Sequence, residues 1–513
     1  MLSDTDEEGR EDVVREWLTD LTTQDLVDGS KIEPSDLDRN VWRLEFSVAV
    51  AVMAHRLNLM LALWPEVAAE LELFDTLPTE VRRPPSDLAV AVPESPMGNV
   101  LGFQYVEDDV EGRDGKLGEF RFFRYTGVGR ALLVRLPDLF PADGHGPNVL
   151  LLSGTSWAGT SPRYHIDVPV DAILRPTAEK LAAIARTTFA LDIQHAGERT
   201  TPIWVSGRYG AARTTALKQM VAALTRPGAG PGQPNRLERE RAALPLGRQK
   251  IMLLVGSYRE ARTVTDELLR LKSSWQGQVR CLVGDDEMET GWDDGHLLRR
   301  TDVAAFGIDD DAWLLVAPIL AVERGHNILN EDGIAAIGAA FFLVRPHPRP
   351  KDLSYVTQRI NQYALHQLRP QPLDDDECAT PDRLASAGNR RRRAAQRQWR
   401  RLLHALVAYS RLGPDERNRV AWTQLVTIWQ VVGRLLRGGQ AARVYFCDAA
   451  FAPNTARRGD DATDLDDAST SLLLGMRDVL APYFDPAGTD ADRHLVQALY
   501  QPLHQALTTM GDR

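Results

Sequence analysis

Cysteine is scarce in this sequence. Its 513 residues hold three, Cys281, Cys378 and Cys447, far apart and with no CxxC pair. That spacing excludes a disulfide scaffold, a zinc ribbon and an iron–sulfur cluster held by four thiolates, and the expectation is a reducing cytoplasm. A membrane span is also missing. The most apolar window, SVAVAVMAHRLNLMLALW at 47–64, is broken by His55, Arg56 and Asn58. It falls short of the ~20 apolar residues a bilayer requires and reads as a buried helix. The N-terminus, MLSDTDEEGREDVVREW, is acidic and carries no signal-peptide pattern. Positive charge is not in excess: 60 Lys and Arg against 71 Asp and Glu leave a net charge of -11. That balance excludes a uniformly basic coat for nucleic acid but leaves room for a local basic groove.

A phosphate-binding loop is absent as well. In LLSGTSWAGTSPRY, Gly154, Gly159, Thr160 and Ser161 fall where G-x-x-x-x-G-K-[ST] would place its residues, but Thr160 stands in the position of the Lys. Such a loop needs the Lys as a point charge, and its Ser or Thr must open a helix whose N-terminus holds the anion. Here Ser161 is followed by Pro162 and soon by HIDVPV, an alternating stretch that reads as extended. Charge and context both fail.

What is present is a patterned chain. Residues 1–90 read as helical, with apolar residues three and four apart in 11–22 and 42–73. Residues 91–147 form a small β-rich region: GFQYVEDD, GEFRFFRYT and RALLVRLPDLF, with EGRDGK as a hairpin connection. From 148 to 453 short, fully apolar runs alternate with helical segments. The runs are NVLLLSGT, TPIWVSG, QKIMLLVGS, QVRCLVGD, AWLLVAPILA, AAIGAAFFLVRP and ARVYFCDAAF. This alternation predicts an α/β fold with a parallel sheet covered by helices on both faces. A helical insertion at 350–425 carries an acidic patch, Asp374–Glu377, and a basic run, Arg390–Arg393 with Arg397, Arg400 and Arg401. That run suits either a phosphate backbone with Trp399 stacking, or a solvated helix face. Residues 454–513 end the chain in helices.

The strongest local pattern is TIWQVVGRLLRGGQ, in which Gln430, Gly433, Arg434 and Arg437 fit Q-x-x-G-R-x-x-R. Helical spacing predicts Arg434 and Arg437 on one face, with Gln430 a turn earlier. Two guanidiniums so held can clamp a polyphosphate, and Gly433 would let another backbone come close.

This motif resembles motif VI of superfamily 2 helicases, and others of that set precede it in the family's order. LLVGSYREA, with Ser257 and Arg259, is similar to motif IV, and LLVAPILAVERGHNIL to motif V. LLSGT is similar to motif III, ending in Thr155. The resemblance spans 148–453 and, with the long insertion, lies closer to DinG-like and bacterial defence-associated helicases than to the compact type. It implies the second RecA-like lobe of a nucleic-acid motor. The catalytic group would be Arg434, Arg437 and Gln430. Glu323, Gly325, Asn327 and Gly433 would meet the nucleotide, although Asn327 stands where many members have Asp. Thr155, Ser257, Arg259, Arg324 and His326 would meet single- or double-stranded nucleic acid. ATP and Mg²⁺ would be shared with a first lobe on a partner protein, because this chain has no acidic motif ahead of LLSGT and no metal ligand is assigned. Asp285, Asp286 and Glu287 come too late in the order and read as a loop. Two alternatives share these residues: an inactive helicase-like clamp or scaffold in a multi-protein complex, and an α/β enzyme of other chemistry whose arginines hold a different anion.

Overall fold

Ile251 to Val255 are five consecutive apolar residues, and all five are buried. A strand with no polar face has to be covered on both sides, so it belongs in the middle of a parallel sheet. In the computed structural model this strand, β6 (Lys250–Val255), lies between β9 (Leu314–Pro318) and β10 (Ile337–Phe342). The structure describes residue 53, 99–112 and 115–126. From 148 to 510 it describes all but 198–200, 229–231, 285–295, 324, 326, 348–352, 458–464, 489–490 and much of 369–408. The chain divides into two compact units, 1–133 with 350–404, and 134–349 with 405–513.

In the first unit the expected hairpin is present: β1 (Asn99–Gly112) pairs antiparallel with β2 (Gly115–Thr126), with an irregularity between Glu107 and Glu111. The third predicted strand, the helix predicted at 11–22, that at 42–73 apart from residue 53, and the acidic patch at 374–377 lie outside the described residues.

The second unit holds a seven-stranded sheet. Its members are β3 (Thr188–Leu191), β6, β7 (Val279–Val283), β8 (Leu297–Arg299), β9, β10 and β11 (Arg443–Phe446). They lie in the order β3-β11-β10-β6-β9-β7-β8, every pair parallel. This is the expected α/β class, a RecA-like parallel sheet. A two-stranded antiparallel ribbon, β4 (His195–Ala196) with β5 (Thr201–Pro202), stands apart from it.

The helices follow from the crossovers. After β6 the chain runs through α4 (Tyr258–Leu271) towards β7, one way across the sheet. After β10 it runs through α7 (Pro414–Leu435) towards β11, the other way. Right-handed crossovers in opposite directions put α4 and α7 on opposite faces. On the α4 side lies α2 (Gly210–Leu224); α3 (Arg236–Ala243) packs against β6, and α1 (Ala178–Ile184) leads into β3. On the α7 side lie the short α5 (Ile319–Val322), α9 (Leu472–Phe484) and, against β3, α10 (Arg493–Met510). This unit also holds α8 (Pro453–Arg457), whereas α6 (Leu353–Leu368) belongs to the first unit. Among the described residues no helix is long and apolar enough to cross a membrane.

Two strand expectations are corrected. NVLLLSGT forms no strand: residues 148–152 are irregular, and Leu150 and Leu152 are 81% and 79% exposed. TPIWVSG contributes only the two residues of β5; Ile203 and Val205 are buried without joining the sheet. An apolar run becomes a sheet strand only where its N–H and C=O groups meet those of a neighbouring strand, and neither run pairs with the seven-stranded sheet.

Candidate functional site

Helix α7 is apolar along most of its length, yet Thr423, Thr427, Gln430 and Arg434 recur at steps of four, three and four. That period lines them along one face. The stripe meets the stretch that follows Gly154. Ser161, fully buried, lies 2.9 Å from Thr423 through their hydroxyls. The Tyr164 hydroxyl lies 2.9 Å from Thr427 Oγ1, and Gln430 Nε2 donates to Thr155 Oγ1 at 2.7 Å. Arg434 Nη2 donates to the carbonyl of Glu323, just past α5, at 2.9 Å.

Glu323 is the hub. Its carboxylate is 3% exposed, receives the Tyr164 hydroxyl at 3.0 Å and pairs with the Arg163 guanidinium at 3.0 Å. A buried carboxylate is tolerable only when charge and lone pairs are met together, and Arg163 and Tyr164 do both. Burial, and then the Glu323 charge, push the Tyr164 hydroxyl well above the usual tyrosine range. It therefore stays protonated as a donor at any ordinary pH. Three segments far apart in sequence, 155–164, 319–323 and 423–434, are tied into one polar cluster inside an apolar interface.

The two arginines differ more than the helical spacing suggests. Helix α7 ends at Leu435 with Leu436 as its cap, so Arg437 lies beyond the helix rather than on the Arg434 face. Its carbonyl accepts from Ala335 N at the start of β10, and its side chain is exposed. Gly438 and Gly439 follow at φ 79° and 77° and make the turn. The guanidiniums remain near enough to interact: burial first, and then Arg437, lower the pKa of Arg434 from its ordinary value. The side-chain oxygen of Gln430 is buried with no hydrogen-bond partner.

The other predicted residues fall as follows. Gly325 and Asn327 are exposed, and Gly325 has φ 95°, a conformation that favours glycine. Gly433 is not a close-approach glycine: a Cβ there would meet nothing within 4 Å. Ser257 caps α4 by accepting from Glu260 N at 3.2 Å, and Arg259 is exposed. Both sit past the carboxyl end of β6, with no hydrogen bond to Gln430 or Arg434. Arg324, His326, Asp285, Asp286, Glu287 and Trp399 lie outside the described residues. Among the described residues no group of three His, Cys, Asp or Glu could hold a metal ion.

Ser161 opens no helix; the first one after it begins at Ala178, so the helix a phosphate loop requires is missing. The loop is a packing device instead. Trp157 sits edge-on to Trp422 and Tyr483, and its carbonyl accepts from the Tyr500 hydroxyl at 2.7 Å. Gly159, at φ 48°, lies so close to the Trp422 ring that an added Cβ would come within 2.3 Å of it. Gly159→Ala is expected to cost about 3 kcal/mol, from left-handed backbone strain plus overpacking. A fall in urea midpoint at unchanged slope checks this; a midpoint equal to wild type refutes it.

Sequence reasoning missed Arg163, Tyr164, Thr423 and Thr427. The readable signal was the polar stripe at helical period in an otherwise apolar helix. No protein-family model matches this chain, and no curated protein matches it.

Proposed function

We propose that this chain is the second RecA-like lobe of an ATP-dependent nucleic-acid motor, a cytoplasmic protein working with a partner that supplies the phosphate-loop lobe. The observation that carries the reading is the pairing of two of the resembling segments with α7: Thr155 (motif III) is hydrogen-bonded to Gln430, and the Glu323 carbonyl (motif V) to Arg434, both partners in the motif VI segment. Their order in the chain did not require that. Glu323 follows β9 and Arg434 precedes β11, both strands of an all-parallel sheet, whereas Thr155 leaves no strand.

The residues fit a polyphosphate. Arg434 and Arg437 repel each other, and a bound anion would relieve that repulsion. ATP, when bound, supplies the phosphoanhydride whose hydrolysis drives the motor. Arg437, exposed, would reach the terminal phosphoryl group; Arg434 would hold the same charge from the anchored side; Gln430 offers a free acceptor for a water or phosphate-bound proton. The residues described here do not fit Mg²⁺, so no step is assigned to the metal from this chain.

The expectation is that the neighbouring reading frame encodes a lobe with G-x-x-x-x-G-K-[ST] and an acidic motif. The two purified together should hydrolyse ATP in a nucleic-acid-stimulated manner, with neither active alone. An assembled pair that binds nucleic acid but never turns over ATP would establish the scaffold alternative instead. Robust turnover by this chain alone would show a complete nucleotide site within it.

A further inference from the structure

In an open parallel sheet, ligands gather beyond the carboxyl ends of the strands where the winding direction reverses. Here that reversal falls between β6 and β10, since α4 leads one way and α7 the other. One loop outside every motif noted in the sequence reaches this place. Residues 203–206 hang from the carboxyl end of β11: Asp448, fully buried, accepts from Val205 N at 3.1 Å and Ser206 N at 2.8 Å. The Ser206 hydroxyl accepts from Arg345 N, past the end of β10, at 2.9 Å. From the other side, Arg213 in the first turn of α2 pairs with Glu260 in the first turn of α4, at 2.8 Å. It also donates to the Val205 carbonyl at 3.0 Å. The loop between, Gly207–Gly210, is exposed throughout, and its two glycines, at φ 86° and 51°, push Arg208 and Tyr209 outward.

Neither of these two side chains is engaged by another residue among those described, and Tyr209 is 58% exposed. A rigidly mounted loop that presents an idle guanidinium and an idle aromatic ring, tied through Arg213 to Glu260 in the first turn of α4, has the chemistry of a single-strand platform. The cation meets phosphate, and the ring takes a base face. The two carboxylates that mount the loop are both engaged, Glu260 by Arg213 and Gly256 N and Asp448 by the amides of Val205 and Ser206.

The geometry points to Arg208 and Tyr209 as a nucleic-acid contact pair: Tyr209 stacks on a base and Arg208 neutralises a backbone phosphate of a single strand crossing the carboxyl edge between β10 and β6. This rests on the nucleic-acid reading above and adds the strand's position and two residues that bind it.

The test uses the full chain and fluorescein-labelled dT15 and rU15, with anisotropy read across a salt series. Tyr209→Ala should weaken binding roughly tenfold with the salt slope unchanged, because stacking releases no counterions. Arg208→Ala should flatten the log–log salt slope by about 0.7, the loss of one single-strand phosphate contact. Tyr209→Trp should retain binding. Both side chains are exposed, so thermal unfolding should match wild type in each variant. Wild-type affinity and slope in both alanine variants would overturn the assignment while leaving the motor reading in place. If the wild-type chain bound neither oligonucleotide, the nucleic-acid reading would fall with it.

Discussion

Arg437→Ala is expected to lower the ATPase of the two-lobe assembly about a thousandfold, the lower range for loss of a cationic side chain from a phosphoryl-transfer site, while leaving the stability of the chain within about 0.5 kcal/mol of wild type. The reason for the split is structural. Among the described residues Arg437 is held by its backbone carbonyl, which accepts from Ala335 N, while its side chain is exposed. Its removal therefore takes nothing from the fold. Arg434→Ala differs in kind: it also removes the donor that holds the Glu323 carbonyl, so activity and stability should fall together. Steady-state turnover combined with urea midpoints for both variants reads the distinction. If Arg437→Ala turns over ATP as fast as wild type, Arg437 faces no phosphoryl group and the motor reading loses its catalytic element.

The contrast between these arginines shows how far the sequence could be read. Q-x-x-G-R-x-x-R suggests one helical face, but Gly438 and Gly439 directly follow Arg437, and glycine just past the last periodic residue is a stop signal. Weighing that signal would have placed Arg437 in the turn. The central strands were legible because β6, β7, β9 and β10 are nearly continuous apolar runs. The edges were not. β3 is four residues with a single buried side chain, and β8 is three residues with none. Their pairing comes from neighbours far away in the chain, which no local pattern carries. Residues 148–152 erred in the opposite direction, apolar enough for a central strand but paired with none. The Glu323 hub lay deeper still. Arg163 and Tyr164 carry no local pattern, and only the tertiary approach of the end of α5 gives them the Glu323 carboxylate to serve.

The same tertiary logic fixes where the 434–437 turn lies, and one residue outside every motif governs it. Arg248, 4% exposed and without a carboxylate partner among the described residues, gives its whole guanidinium to backbone carbonyls. Nε donates to Ala335 at 3.0 Å, Nη1 to Ala441 at 2.5 Å, and Nη2 to Ile337 at 3.1 Å and to Leu435 at 2.7 Å. These are the start of β10, the turn before β11 and the last residue of α7, so one planar fork joins the strand and the helix end that bracket Arg434 and Arg437. Burial pushes its pKa down to about 10, which still leaves it charged at neutral pH. Hydrogen bonds to a charged group contribute roughly 1.5–3 kcal/mol each, and stranded buried carbonyls cost further. The four share one group and do not add, so Arg248→Ala is expected to lose about 4 kcal/mol, comparable to breaking a buried ion pair. Arg248→Lys should recover only part of it, because an ammonium lacks the five-donor planar fork. Urea midpoints at constant slope measure both. A loss below about 1 kcal/mol in Arg248→Ala would mean the carbonyls are readily rehydrated and the helix end holds itself. A loss of the expected size, with Arg437→Ala near wild type in the same assay, would separate the residue that places the turn from the residue the turn presents.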